Sequence, residues 1–142
     1  MPSKKIVVAP CGLDCFNCEL YQDNLTEKLA ELIAAKSGIA KADVACAGCR
    51  EMDGRHFHLP EGCATLECVK KKGLELCSDC PDFPCELLAP LADQAGRYPH
   101  NFKLYNLCRI QRIGLDRWAE EAATIRGKYF KAPFKVGKGQ AE

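Results

Sequence analysis

Cys11-Gly12-Leu13-Asp14-Cys15-Phe16-Asn17-Cys18 is the stretch on which the fold turns. Two residues between cysteines let one tight turn aim both sulfurs at a point, which tetrahedral zinc fills at about 2.3 Å per Zn–S bond. The same Cys-x-x-Cys spacing recurs at Cys46/Cys49 and Cys77/Cys80, and Cys63, Cys68, Cys85 and Cys108 bring the total to eleven in 142 residues. One such pair is a weak signal, but three in a chain this short point to shared ions. The fold class expected is mostly α, with a small α+β contribution from one short strand at Ile6 to Ala9. Metal-stabilised cysteine-rich loops would pack on a C-terminal helical hairpin.

The surroundings of the cysteines decide how they are used. The apolar run Ile6-Val7-Val8-Ala9 is shorter than the roughly 7–15 residues of a signal-peptide core, and no stretch approaches the ~20 residues of a membrane span. The expected location is therefore cytoplasmic, where thiols stay reduced, and an odd cysteine count also fits disulfides poorly. A net charge of +1 makes no large field of either sign, so nucleic acid is not expected as a partner, and neither is a membrane. A hydrophobic content of 47% allows a genuine core in a single domain.

Outward from the first cysteine turn, Asn24 is placed to cap a helix with Leu25, Leu29, Leu32 and Ile33 on one face and Gly38 as its stop. Ala45 to Pro60 has no sustained period and reads as loop around the turn Cys46-Ala47-Gly48-Cys49. A short helix is expected from Ala64 to Lys72, stopped by Gly73, with three lysines at the negative end of its dipole as a solvated helix end. Pro84 and Glu86 suggest another helix start that would place Cys85 at a positive dipole end, with Pro90 ending it and a separate turn over Leu91 to Ala95. Asn101 should cap a helix carrying Phe102, Leu104, Tyr105, Leu107, Cys108, Ile110 and Ile113. After Gly114, Asp116 should cap a second, with Trp118, Ala119, Ala122, Ala123 and Ile125 on its apolar face. The chain is thus divided into a cysteine-bearing part, 1–95, a helical hairpin, 96–126, and a basic tail, 127–142.

Cys68, Cys77, Cys80 and Cys85 form the tightest grouping and can close around one ion alone. Cys15/Cys18 and Cys46/Cys49 would then make a second four-cysteine site across the first helix, with Cys11 and Cys63 unplaced. Two zinc ions are the expected cofactor, and an iron–sulfur cluster is the alternative, because four-thiolate sites suit both metals. Cys108 reads as a buried core residue of its helix. His56 and His58 are placed among the cysteines but in an irregular loop, and His100 reads as a turn residue. Asp14 reads as solvated or bonded to the turn backbone.

The spacing at 11–18 is also that of radical S-adenosylmethionine enzymes. The Gly-Gly-Glu segment and the barrel-sized chain of those enzymes are missing. The sequence has no Gly-x-Ser-x-Gly, no phosphate-binding glycine loop and no His-Glu-x-x-His, so no residue is assigned a catalytic role.

The ordered set of motifs resembles a family of small cysteine-rich bacterial and archaeal proteins of unknown function for which zinc binding is suspected. Those motifs are Cys-Gly-Leu-Asp-Cys-x-x-Cys at 11–18, Cys-x-Gly-Cys-Arg at 46–50, Cys-x4-Cys at 63–68 and Lys-Gly-Leu-Glu-x-Cys-x-x-Cys-x-x-Phe-Pro-Cys at 72–85. The likeness continues through Tyr98-Pro99-His100-Asn101 to Ile113-Gly114-Leu115-x-x-Trp118. It implies a ligand set of Cys11, Cys15, Cys18, Cys46, Cys49, Cys63, Cys68, Cys77, Cys80 and Cys85, and leaves Cys108 out. A terminal Cys-x-x-Cys-Gly of some members is replaced here by residues 129–134. The function expected is a structural-zinc protein that presents a surface to a protein partner, a binding or adaptor role. An iron–sulfur or thiol-redox protein is the competing reading.

Overall fold

The computed structural model describes residues 5–89 and 98–132. Among them stand four α-helices, α1 (Glu27–Ser37), α2 (Ala64–Lys72), α3 (His100–Ile113) and α4 (Leu115–Lys131), with short 3-10 turns at Cys15–Asn17, Lys41–Asp43 and Cys77–Asp79. The fold is helical, as expected. The short strand expected at Ile6 to Ala9 does not form, and these residues have no ladder partner. Bridges among the described residues are limited to Tyr21↔Cys46, parallel, and His56↔Leu59, antiparallel.

The helix stops fall where the glycines put them. Gly38 and Gly73 end α1 and α2 with φ of 67° and 66°. Gly114, at φ 86° and ψ 160°, ends α3 and starts α4 in a conformation only glycine adopts readily, so one residue makes the corner of the hairpin.

The helix starts differ more. Thr26, not Asn24, caps α1, its side chain accepting from the Leu29 N–H at 3.2 Å. Pro99 precedes α3, so Asn101 lies inside it, and Asp116 sits in the first turn of α4 behind Gly114. No helix starts at Pro84. Cys85 to Ala89 form a turn, and Asp82 is turned to Lys72 at 2.9 Å instead of toward a helix N-terminus. The turn expected over Leu91 to Ala95 and the tail from 133 onward lie outside the described residues. The helix itself runs to Lys131, past the point where the basic tail was expected to begin.

One core joins the two halves. Phe102, Leu107 and Ile110 from α3 and Trp118, Ala122 and Ile125 from α4 pack with Phe16, Leu66, Val69, Leu76 and Leu88 from the cysteine-bearing part. The buried positions on α3 are Phe102, Asn106, Leu107 and Ile110. Cys108 falls on the opposite side of that helix and is exposed, and Tyr105 and, on α4, Ala123 also face outward. The buried-core reading of Cys108 is therefore corrected: at 100° per residue it stands well off the stripe set by Asn106, Leu107 and Ile110. Helix α1 is peripheral, burying only Ala30 and leaving Leu32 half exposed.

Candidate metal centre

Ten of the eleven thiols line two cavities, Cys15 and Cys49 also bordering a third, and none is in a disulfide. Cys68, Cys77, Cys80 and Cys85 line one of about 310 Å³. Cys11, Cys15, Cys18, Cys46, Cys49 and Cys63 line the other, of about 340 Å³. The grouping drawn from sequence spacing is thus also a spatial grouping, and Cys11 and Cys63, which spacing left unplaced, stand with the two Cys-x-x-Cys turns of the larger cavity.

The first wall of the larger cavity is the 3-10 turn of Cys15–Asn17, closed by the Cys18 N–H on the Cys15 carbonyl at 3.0 Å. Asn24 clamps it from below, its Nδ2 donating to the carbonyls of Phe16 at 2.8 Å and Cys18 at 2.9 Å. The second wall arrives by the Tyr21↔Cys46 bridge, in which Cys46 N–H donates to Leu20 and Gln22 N–H donates to Cys46, both at 2.8 Å. Gly48 N–H points at Cys46 Sγ at 3.4 Å, the amide-to-sulfur contact that a tight cysteine turn supplies. Cys63, at the N-cap of α2, completes the ring.

The hairpin grips the first wall by three contacts that sequence reading missed. Trp118 Nε1 donates to Asn106 Oδ1 at 3.2 Å, and Asn106 Nδ2 donates in turn to the Gly12 carbonyl at 2.8 Å. Gly12 has φ +90°, and a Cβ there would stand 2.8 Å from both Leu107 Cγ and the Lys103 carbonyl, so no side chain fits. Asp14 is wholly buried. It accepts from Arg126 Nη1 at 2.7 Å and from Asn17 Nδ2 at 3.0 Å. The expectation of a solvated or turn-bonded Asp14 is corrected: α4 delivers a guanidinium to it, and a buried carboxylate needs such a partner. No sequence signal links residues so far apart, although a buried acid beside a ligand turn requires a cation from somewhere.

The smaller cavity repeats the device. The 3-10 turn of Cys77–Asp79 is closed by the Cys80 N–H on the Cys77 carbonyl at 3.1 Å, and Gln111 of α3 donates to the Ser78 carbonyl at 2.6 Å. Lys72 Nζ donates to Cys80 Sγ at 3.2 Å and Asp82 Oδ2 at 2.9 Å. Lys70 pairs with Asp53. The last turn of α2 is therefore engaged within the chain at Lys70 and Lys72. Cys77 N–H donates to the Pro10 carbonyl at 2.9 Å, which sets the two cavities back to back.

A family described only as a protein of unknown function, DUF3795, matches residues 7–90, the stretch that holds all ten of these cysteines and stops before Cys108. The chain belongs to this family. No curated protein and no solved structure matches it. In this DUF3795 protein the residues that grip the first cysteine turn, Asn106, Trp118 and Arg126, lie beyond the matched stretch.

The electrostatics of the DUF3795 thiols are those of buried groups crowded with their own kind. Burial, then the sulfurs of Cys49, Cys11, Cys46 and Cys18, push Cys15 far above its ordinary value. Cys49 is pushed up to about 11 by burial, with Cys11, Cys63 and Cys46 adding to it while Arg50 opposes. Cys77 reaches about 12 by burial and by Cys11, Cys85, Cys68 and Cys80. Burial also raises Cys11, against Lys103, and Cys46. Such thiols hold their protons at neutral pH, and a cation that displaces those protons relieves both the burial and the mutual repulsion.

Among the described residues no group of three or more Cys, His, Asp or Glu side chains is a ready-made ion site; the cysteines line the cavity walls. His56 and His58 line the larger cavity, their Nδ1 atoms 2.6 Å apart, with His56 Nε2 3.1 Å from the Val44 carbonyl. His58 is lowered by burial and by His56. His100 is the first residue of α3.

Proposed function

We propose that this protein is a thiolate metalloprotein with two centres, in which zinc ties the cysteine-bearing part to the helical core and so fixes a surface for a protein partner in a reducing cytoplasm. The single observation that carries this reading is the sorting of ten free cysteines into two cavities, six in one and four in the other. The donor set fits the group: buried thiols become good ligands once a cation replaces their protons, and four thiolates satisfy tetrahedral zinc. The chain's own residues support such ions in recognisable ways. Lys72, on Cys80 Sγ, offsets negative charge at the smaller centre. Asn24 and Gly48 hold the turns of Cys15/Cys18 and Cys46/Cys49 at the larger one.

An adaptor role is supported by the apolar side chains left in solvent beside the larger cavity, Leu59 and Phe130. No helix among the described residues is long and apolar enough to cross a membrane. Purification with and without air, followed by elemental analysis and a visible spectrum, tests the reading. A colourless protein with at least about two zinc ions per chain is expected. A brown protein absorbing broadly near roughly 400 nm would replace zinc by an iron–sulfur cluster.

A further inference from the structure

We infer that His56 and His58 form a proton-operated latch on the rim of the larger cavity. The pair shares one hydrogen between its rings and has no room for a second, so residues 54–59 stay closed near neutral pH and are released in mild acid. The latch goes beyond the thiolate-zinc reading and does not depend on it, since it stands on two distances and the chemistry of the imidazole ring. His56 Nε2 is 3.1 Å from the Val44 carbonyl, and a carbonyl only accepts, so that nitrogen carries a hydrogen. In the neutral ring the other nitrogen, His56 Nδ1, is then bare and accepts. His58 Nδ1 stands 2.6 Å from it and must donate, which leaves His58 Nε2 with its lone pair free. The order Val44 carbonyl, His56, His58 thus fixes both tautomers.

The surroundings hold the pair in place. Val44 has no solvent exposure, so one end of the relay is anchored in the interior, while Leu59 at the other end of the segment is exposed. His56 and Leu59 exchange backbone bonds at 3.5 and 2.8 Å, and the Phe57 ring lies 4.5 Å from the His56 ring and 5.2 Å from that of His58. Both histidines line the larger cavity, but neither bonds to a cysteine sulfur among the described residues.

A first added proton goes to His58 Nε2 and leaves the bond between the rings intact. A second has only His56 Nδ1 to occupy, and would set two N–H groups head to head across 2.6 Å in two adjacent cations. The charged groups around the pair oppose it further. Arg55 from the loop, Lys103 from α3 and Arg126 from α4 line the same cavity, and the one acid there, Asp14, is taken by Arg126 and Asn17. Burial, and then His56, hold His58 below the usual histidine range. The exclusion of the second proton follows from the distance between the rings and holds whatever charge the six thiols carry. The closed pair therefore binds fewer protons than two free rings. By linkage, closure is fully favoured above the ordinary imidazole value of about 6.5 and is lost as pH falls through it.

Long-range proton–nitrogen NMR on the full chain reads the tautomers directly. At pH above neutrality His56 should carry its hydrogen on Nε2 and His58 on Nδ1. On acidification, exchange protection over residues 54–59 should fall by about tenfold per pH unit, the slope of a one-proton difference, while α3 and α4 keep theirs. In His58→Asn the amide replaces the Nδ1 donor, takes up no proton and can turn to accept if His56 charges, so protection should persist across the range. Both rings with hydrogen on Nε2, or protection that does not change with pH, would overturn the latch. So would an equal fall in His58→Asn, which would assign the opening to the thiols or to a metal they hold.

Discussion

Two walls of one cavity are held in opposite ways. The turn at 11–18 is gripped from outside itself: Gly12 is pressed on α3, its carbonyl is bonded through Asn106 to Trp118, Asp14 is paired with Arg126, and Phe16 stands edge-on to Trp118 at 6.0 Å. The loop from Cys46 to Cys63 rests largely on its own turns, Gly48 to Met52, Cys49 to Gly54 and Leu59 to Gly62, with Lys70 reaching Asp53 and Val44 facing His56. On the zinc reading proposed above, one wall would be organised before an ion arrives and the other ordered by it. That division would lower the ordering cost of binding, since only one side of the site would have to be immobilised along with the ion.

Removing metal should break this symmetry most visibly. Structural zinc supplies roughly 10–16 kcal/mol in small peptides at neutral pH. A strong chelator should therefore erase amide-exchange protection over residues 46–63, while 11–18 retains part of its own together with α3 and α4. Equal loss in both walls would mean that the hairpin contacts do not preorganise the first.

Arg126→Met comes next. It leaves the fully buried Asp14 carboxylate without its cation and should cost about 3–5 kcal/mol in urea unfolding of the metal-loaded chain. Arg50→Met, in the other wall, removes an exposed contact to Glu75 and should cost no more than about 1 kcal/mol. Similar losses would show Asp14 to be better solvated than its burial indicates.

Gly12→Ala and Gly62→Ala then separate packing from backbone strain. Both residues have φ +90°, but only at Gly12 does a Cβ meet neighbours. Gly62→Ala should show only the strain of about 1–3 kcal/mol. Gly12→Ala should add overpacking of about 1–3 kcal/mol. Matching melting shifts would remove the close approach of the turn to α3 from the account.

Cys108→Ser should change stability by less than about 0.5 kcal/mol and leave the zinc count intact, because the side chain is exposed on α3. A lower zinc count would bring Cys108 into the ligand set.

What the sequence made legible was local. The stops at Gly38, Gly73 and Gly114 and the span of α2 follow from glycine chemistry and 3.6-residue periodicity, which act within one or two turns. Cysteine spacing went further, because four thiols close in sequence cannot stray far apart in space. Side-chain choices that depend on distant partners were not legible. Asn24 had the chemistry of a cap but spends it on the Phe16 and Cys18 carbonyls, and Asp14 had the chemistry of a turn residue but answers to Arg126. Cys108 was misplaced for a subtler reason. Its helix is apolar over more positions than its buried stripe needs, so periodicity could not say which edge faces water.

The edge-on contact between Phe16 and Trp118 has an optical consequence. Trp118 is the sole tryptophan of the chain and has no solvent exposure, while Phe16 is the residue next to Cys15. Its emission therefore watches the seat of the first cysteine turn, with no label attached. A blue emission that persists after chelation would mean that the turn is still docked, and a red shift would time its departure from the helices.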